Sequence, residues 1–459
     1  MLRVEAHFEG KPELVYAVET VLHDWLDLPF SLHHVPDTNA VTLTDGARRL
    51  VVDGTYFRDK EVSALLPTLP LQEFDAHILG VEPELVAPRL PVLFGTPHYV
   101  REGDHIGLGI DIFGSVYFML SRVEEVLVGT RDTFDRFPGH ASIAAQAGFL
   151  ERPIVDEYVE ILWASMCWLW PTLQRRTETF HIELSCDVDH PYSPSRSSLK
   201  GMLRRAGASV LKDRSLAAAA SHVVNFAQGA AGSGNFAYDH CWSAVGWMMD
   251  TAERSGNGPI TFYVKAGASH PVHDRPYLLD EPVVSAMLKR IAERGHRIGL
   301  HPSFETYRDA DLIAVEADRL RQTLECLGID QPEGLGARQH FLRWATPLTA
   351  QSYEAAGLAH DSSLTFADLP GFRCGTSRHF PLFDVSQRRK LAVIERPLVV
   401  MEDSVQYYMG AGRHSEAAFE HMMRLKGVCR RMRGSFSLLW HNSNILTPAD
   451  KRHYTALVA

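Results

Sequence analysis

The chain has 459 residues, of which 45% are hydrophobic and 22% are charged, a composition typical of globular proteins. Because this length exceeds one ordinary hydrophobic core, we expect two domains. The 46 Lys and Arg residues against 56 Asp and Glu residues give a formal net charge of −10. An acidic chain without a basic stripe binds phosphate backbones poorly, so we expect no nucleic-acid partner.

The ends of the chain and its cysteines bear on location. The N-terminal sequence MLRVEAHFEG lacks a basic segment followed by an apolar run, so we expect no signal peptide. No apolar stretch reaches the ~20 residues that span a bilayer. The six cysteines are scattered without a C-x-x-C pair, which favours reduced thiols. We therefore predict a cytoplasmic bacterial protein with no transmembrane segment; its oligomeric state is left open.

The first part of the chain mixes short strand-like runs with turns rich in Pro and Gly. The patterns predict a helix over 13–25 and an apolar helix over 154–170, and strands at the following ranges: 41–43, 49–52, 91–94 and 105–112. No catalytic pattern occurs here. We predict an accessory α/β domain over residues 1–175.

From about residue 179 strands and helices alternate. Strands are predicted at 180–185, 260–265, 297–300 and 335–340, with helices between them. Such alternation predicts a parallel sheet, open or closed into a barrel, over residues 176–459. The segment 196–232 is basic, then Ala-rich, then rich in Gly and Ser; it reads as a solvated helical insertion or as a partner-binding helix.

Polar side chains stand where these strands end, and active residues gather there in parallel α/β folds. They are Asp187, Asp189, His301, Arg338, His340, Asp361 and His441. Carboxylate and imidazole groups suit zinc and related divalent ions, and a catalytic site leaves one position for water. Two aspartates two residues apart face the same side of a strand, so one can bind an ion while the other takes a proton.

Several motifs in this order resemble a known family. They are Ser-Cys-Asp-Val-Asp-His, Gly-His-Arg-Ile-Gly-Leu-His-Pro, Arg-Gln-His, Asp-Ser-Ser and Leu-Leu-Trp-His. Over about residues 179–445 the chain resembles the polysaccharide deacetylase domain (carbohydrate esterase family four), in the bacterial branch with an extra uncharacterised N-terminal domain. The resemblance implies a distorted barrel of about seven βα units and metal-dependent removal of an N- or O-acyl group from a carbohydrate.

The resemblance also implies roles for individual residues. Asp187 would be the general base, oriented by Arg338. Asp189 and His301 would be metal ligands, and His441 the general acid. We also expect substrate contacts from three further residues: Asp361, Arg373 and Trp344.

The motifs depart from the family pattern in places. Val188 separates two aspartates that are usually adjacent, so their roles could be exchanged. Glu305 stands where the family has its second histidine. Either Glu305 or His340 could therefore complete the metal triad, or the triad is incomplete and the domain binds sugar without catalysis. The proline-rich third motif of the family is missing.

We predict a metal-dependent deacylase acting on an acylated sugar, a nucleotide-sugar or a lipid-linked glycan precursor in surface-polysaccharide metabolism. Zinc is the expected ion, with cobalt, nickel and manganese as alternatives. Two other readings stay open. One is a carbohydrate-binding or scaffolding protein with a degenerate site, and the other is a hydrolase of non-sugar C–N bonds.

Overall fold

The computed structural model describes residues 1–58, 66–211, 214–410 and 415–459. Its first part holds eight strands: β1 (Leu2–Ala6), β2 (Phe30–His34), β3 (Ala40–Thr44), β4 (Arg49–Asp53), β5 (Gln72–Asp75), β6 (Arg89–Val92), β7 (Gly95–Glu102) and β8 (His105–Ile110). Six of them form a mixed sheet in the order β2-β1-β3-β4-β8-β7, and β5 pairs with β6. Five helices accompany them: α1 (Pro12–Glu19), α2 (Ile112–Ser121), α3 (Val123–Leu127), α4 (Ile143–Gln146) and α5 (Ile154–Leu169).

Most of the elements predicted for this part are present. β3, β4 and β8 lie where strands were expected, and β6 overlaps the expected run at 91–94. The predicted helix over 13–25 is α1 continued by a π-helical stretch, Thr20–Trp25. The apolar helix predicted over 154–170 is α5, which ends before Pro171. The α/β class of this part is thus confirmed.

Among its described residues, the second part has nine strands: β9 (His181–Val188), β10 (Thr261–Val264), β11 (Arg297–Leu300), β12 (Gly336–Ala337), β13 (His360–Asp361), β14 (Phe380–Asp384), β15 (Arg389–Glu395), β16 (Val400–Met401) and β17 (Ser435–Leu439). They form one sheet in the order β14-β15-β13-β12-β11-β10-β9-β17-β16. All neighbours are parallel except β14 and β15. β10 and β17 are buried along their whole length, as parallel strands covered on both faces are.

Helices separate the strands from β9 to β13, as predicted, whereas no α-helix lies between β13 and β16 in the described part of the chain. The helices are α6 (Leu199–Leu211), α7 (Leu216–Ala230), α8 (His240–Ser255), α9 (Pro282–Glu293), α10 (Ala310–Cys326), α11 (Leu348–Ala355), α12 (Glu416–Arg431) and α13 (Pro448–Val458). α9 shows how the sequence sets their limits. Pro282 occupies its first turn, where no backbone N–H is needed. Gly295, two residues beyond its end, has a φ of 74°, a conformation that glycine adopts readily.

The sheet curls strongly. In a flat sheet β12 and β9, three strand spacings apart, would lie ~14 Å from each other. Nevertheless Nε2 of His340, just beyond β12, lies 3.3 Å from Oδ1 of Asp189 at the end of β9, a separation that these two side chains cannot bridge across a flat sheet. A cavity of about 230 Å³ inside the curl is lined by β9, β10, β11 and β17 together. The finer expectation of a seven-unit barrel remains a proposal, because no ladder joins the end strands β14 and β16 within the described ranges.

The two parts of the chain share a buried polar contact. The Glu125 carboxylate accepts two hydrogen bonds from Arg373, at 2.9 and 2.8 Å. Asp156 likewise accepts from the backbone N–H and the hydroxyl of Ser377. The division into 1–175 and 176–459 stays a prediction, and its two sides are joined by these bonds. None of the helices in the described part of the chain is long and apolar enough to cross a membrane.

Candidate functional site

The carboxyl ends of the parallel strands bring distant residues to one place. Asp187 and Asp189 come from the end of β9, and His301 directly follows β11. His340 lies just beyond β12, and His441 follows β17 by two residues. Five of the seven residues predicted from strand ends therefore surround a common point.

Three ligand-type atoms meet at this point. Asp189 Oδ1 lies 3.3 Å from His340 Nε2 and 3.5 Å from His301 Nε2. These residues form a group able to hold a metal ion, with ligand atoms within 4.8 Å of one another. Ligands arranged tetrahedrally around zinc at ~2.1 Å are separated by about 3.4 Å, which matches the two distances. In addition, Asp189 Oδ1 is buried and accepts no well-aligned hydrogen bond from the described residues, although three nitrogens lie within 3.5 Å of it. The donor set therefore fits a divalent ion.

Both histidine rings are oriented by hydrogen bonds from their Nδ1 atoms, on the side away from Asp189. The distance from His301 Nδ1 to the Arg338 carbonyl oxygen is 2.6 Å, and His340 Nδ1 lies 2.9 Å from Asp274 Oδ1. Because each Nδ1 donates its proton to these acceptors, Nε2 is the ring nitrogen that faces Asp189 and that can bind an ion once it carries no proton. Partners of this kind are typical of metal-ligating histidines.

Asp274 is itself fixed by the backbone. It accepts hydrogen bonds from the N–H groups of Ser269, His270 and Phe304, at 2.9 to 3.1 Å. Burial acts to raise the pKa of Asp274, but the hydrogen bonds from His340 and from the backbone outweigh it and hold that pKa well below its usual range. Asp274 is therefore a stable anion behind His340.

A buried lysine also reaches the cluster. Lys265, the residue after β10, places its Nζ 3.2 Å from Asp189 Oδ1. Burial acts to raise the pKa of Asp189, but the charges of Lys265 and His340 outweigh it and hold that pKa well below normal. Asp189 is thus ionised, and without an ion its charge is balanced by the ammonium group.

Asp187 is held by an arginine. Arg338 is almost fully buried and donates to Asp187 Oδ1 at 3.1 Å, to Ser185 Oγ at 2.8 Å and to Ser362 Oγ at 2.7 Å. The second carboxylate oxygen, Asp187 Oδ2, lies 3.8 Å from His301 Nε2. Asp187 is therefore oriented on one side and presents its other oxygen to the cluster.

His441 also borders the cluster. Its Nδ1 lies 2.8 Å from Oε1 of Glu402, a fully buried carboxylate, and its Nε2 lies 3.9 Å from Asp189 Oδ2. Burial acts to lower the pKa of His441, but the adjacent Glu402 charge outweighs it and raises the pKa well above normal. A protonated imidazole therefore faces the cluster.

Three residues of this site were missed in the sequence: Lys265, Asp274 and Glu402. Lys265 and Glu402 also stand at strand ends, after β10 and β16, so the rule that found the others applies to them. Asp274 lies in an irregular loop, where periodicity gives no signal.

Glu305, one of the two candidates for the third ligand, lies outside the cluster. Its carboxylate pairs with Arg343 at 3.1 Å and is half-exposed. The backbone of Phe304 is anchored to Asp274, which directs the neighbouring side chain away. Of the two alternatives, the structure places His340 beside Asp189.

The three predicted substrate contacts are buried among the chain's own groups. Asp361 accepts from the Ser363 backbone at 2.9 Å, and burial raises its pKa. Arg373 donates hydrogen bonds to the Glu125 carboxylate, and Trp344 donates its indole N–H to the Thr346 hydroxyl at 3.1 Å. Since all three have little exposed surface, we leave them out of the substrate site proposed below and assign them to the framework.

Comparisons with known proteins add little to this geometry. A family model described as "Family of unknown function (DUF7033)" matches residues 2–171. No curated protein sequence matches the chain. A solved structure described as "putative polysaccharide deacetylase from Mycobacterium smegmatis" is similar with a TM-score of 0.39 and 16% identity, covering 62% of this chain and 84% of that one. A likeness of this size carries no argument, so the function is inferred from the site itself.

Proposed function

We propose that the chain is a metal-dependent hydrolase that removes an acyl group from a nitrogen or oxygen of a sugar or glycan precursor. The observation that carries this proposal is the convergence of Asp189, His301 and His340, each histidine held from behind by an acceptor. The order of the motifs along the chain, which resembles the polysaccharide deacetylases, supplies the substrate class.

Asp189, His301 and His340 would hold the ion. Two imidazole nitrogens and one carboxylate suit zinc best, with cobalt, nickel and manganese as alternatives. When bound, the ion supplies Lewis-acid chemistry, lowering the pKa of water toward ~7 and polarising the acyl carbonyl.

Asp187 accepts the proton of the attacking water. Its Oδ1 is taken by Arg338, so Oδ2 is the oxygen that faces the cluster. Arg338 acts as a positioning residue: its other donors are bound to Ser185 and Ser362, which fixes the guanidinium and hence the carboxylate. A base held in this way needs no rearrangement at the moment of proton transfer.

His441 donates a proton to the leaving nitrogen or oxygen. Glu402 accepts a hydrogen bond from Nδ1 of His441, so Nε2 is the ring nitrogen that faces Asp189 and donates the proton. The base and the acid thus contact different members of the same cluster: Asp187 lies beside His301, and His441 lies beside Asp189.

An acetate-release assay tests the proposal. The substrates are N-acetyl and O-acetyl sugars, and the protein is loaded in turn with zinc, cobalt and nickel. Activity with one of these ions, lost on chelation and restored by readdition, is expected. Activity confined to ureides or imides would favour the hydrolase of non-sugar C–N bonds. Failure of the purified protein to take up any of the ions would sink the enzyme proposal.

Lys265 favours a second candidate, a carbohydrate-binding domain without catalysis. Its ammonium group contacts Asp189 Oδ1 at 3.2 Å, so it competes with an ion for the same oxygen. Replacing Lys265 by Met is expected to tighten zinc binding at least tenfold, because the ion no longer displaces a positive charge. The binding-domain candidate gains if zinc binds to Lys265→Met but not to the unaltered chain.

A further inference from the structure

The excursion between β9 and α8 is a helical hairpin with an apolar outer surface. Its helices α6 and α7 pack against each other and against the short turn Pro194–Arg196. Large apolar side chains nevertheless point to solvent: Leu199 is 56% exposed, Leu203 61%, Leu211 83% and Leu216 76%. Single exposed apolar residues are ordinary, whereas a group of this size marks an interaction surface.

The exposed residues form stripes. On α6, Leu199, Leu203 and Val210 fall within about 40° of one another around the helix axis. Met202 and Ser209 occupy the other, buried face of this helix. The residues that α6 needs for its own packing are therefore distinct from the exposed stripe.

α7 has the same organisation. Leu216, Val223 and Val224 are exposed, whereas His222 and Asn225 are buried. Asn225 is tied to Asp239 at 2.6 Å, which fixes the inner side of the hairpin. The hairpin thus presents two apolar stripes outward from an anchored base.

Positive charge flanks these stripes. Lys200 and Arg204 are exposed on α6 beside the leucines, and Arg214 is exposed just before α7. α7 itself contains no Asp, Glu, Lys or Arg. This positive local charge contrasts with the net charge of −10 of the whole chain.

We propose that this hairpin docks on an anionic lipid bilayer surface. Apolar stripes bordered by Lys and Arg are the pattern by which amphipathic helices lie in the headgroup layer. Anionic lipids attract each basic residue, whereas a second copy of the hairpin would bring like charges together. The charge pattern therefore selects a bilayer over self-association as the occupant.

The hairpin is connected to the candidate site. It leaves β9 directly after Asp189, and Ser193 at its base is bonded to Asp239 at the start of α8. Asn442, next to His441, donates to the His190 carbonyl at 2.8 Å. The base of the hairpin is therefore tied to the segments that carry Asp189 and His441.

Cosedimentation of the full chain with vesicles tests the proposal, using phosphatidylcholine alone and phosphatidylcholine with phosphatidylglycerol in equal parts. We expect binding to the anionic vesicles only, weakened by salt. Leu203→Glu combined with Val223→Glu is expected to lower the partition coefficient at least tenfold. Lys200→Gln with Arg204→Gln is expected to lower it about 30-fold, since each basic residue contributes about fivefold.

Val315→Glu is the matched control, because Val315 is 53% exposed on α10, outside the hairpin. It should bind like the unaltered chain, and circular dichroism should show that every variant folds. The proposal is overturned if the unaltered chain does not bind anionic vesicles. It is equally overturned if the variant with Leu203→Glu and Val223→Glu binds these vesicles as tightly as the unaltered chain. It is also overturned if the unaltered chain is a dimer that this variant dissociates, which would make a second copy the occupant.

Discussion

Replacement of Asp274 by Asn perturbs the metal centre without touching a ligand. Asp274 accepts the Nδ1 proton of His340 at 2.9 Å and three backbone N–H groups at 2.9 to 3.1 Å. An amide has one acceptor oxygen and a donor NH2 group. If the oxygen stays with the backbone donors, the NH2 group faces His340, whose proton then moves to Nε2. The lone pair that should face Asp189 is lost.

The size of the effect follows from this tautomer argument. Loss of an outer partner of a ligating histidine costs about 10- to 100-fold in metal affinity. The buried position of Asp274 and its hydrogen bonds to His340 and to the backbone place the expected loss near the upper end, about 100-fold or about 2.7 kcal/mol. Replacement of charge-assisted by neutral hydrogen bonds to the backbone donors should also lower the free energy of unfolding by about 1–3 kcal/mol.

Zinc affinity can be measured by competition with a chromophoric chelator, alongside thermal unfolding with and without zinc. Glu305→Gln is the matched control, since it makes the same acid-to-amide change on a carboxylate paired with Arg343 outside the cluster. The reasoning is refuted if Asp274→Asn binds zinc as tightly as the unaltered chain while Glu305→Gln binds it more weakly. That result would assign the third ligand to Glu305.

Further expected outcomes concern proton transfer and the joint between the two parts. Asp187→Asn should lower kcat about 10²–10⁴-fold in an acetate-release assay and leave zinc affinity unchanged, because it removes only the base. Glu402→Gln should lower kcat about 100-fold, because His441 loses the anion that keeps it protonated and oriented. Glu125→Ala should lower the free energy of unfolding by about 3–5 kcal/mol, measured by denaturant titration, since it leaves the buried Arg373 unpaired.

The Glu125 prediction includes a dependence on pH. Burial acts to raise the pKa of Glu125, but the charges of Arg373 and Arg122 outweigh it and hold the pKa at about 2. Since this lies below the unfolded value of ~4.3, the stabilisation is present above that pH and is lost as the pH falls toward 2. Asp318→Ala, which breaks an exposed pair with Arg321, should cost less than about 1 kcal/mol. Equal losses in both variants would contradict the argument.

The amino-acid sequence by itself determined the alternation of strands and helices and the residues that end the strands. Parallel strands align their carboxyl ends, so Asp189, His301 and His441 could be placed near one point from local patterns alone. The helix limits, such as Pro282 and Gly295 around α9, are equally local. These strand ends and helix limits depend on residues a few positions apart, and local sequence patterns therefore predict them.

Only the tertiary structure decided which groups complete the site. The choice between Glu305 and His340 depends on how far the sheet curls and on the anchoring of the Phe304 backbone by Asp274, a residue 30 positions away. Asp274 reaches His340 across 66 positions, and Glu402 reaches His441 across 39. Such contacts form between residues far apart in the sequence when the elements pack together, so a short-range sequence pattern does not predict which side chains meet.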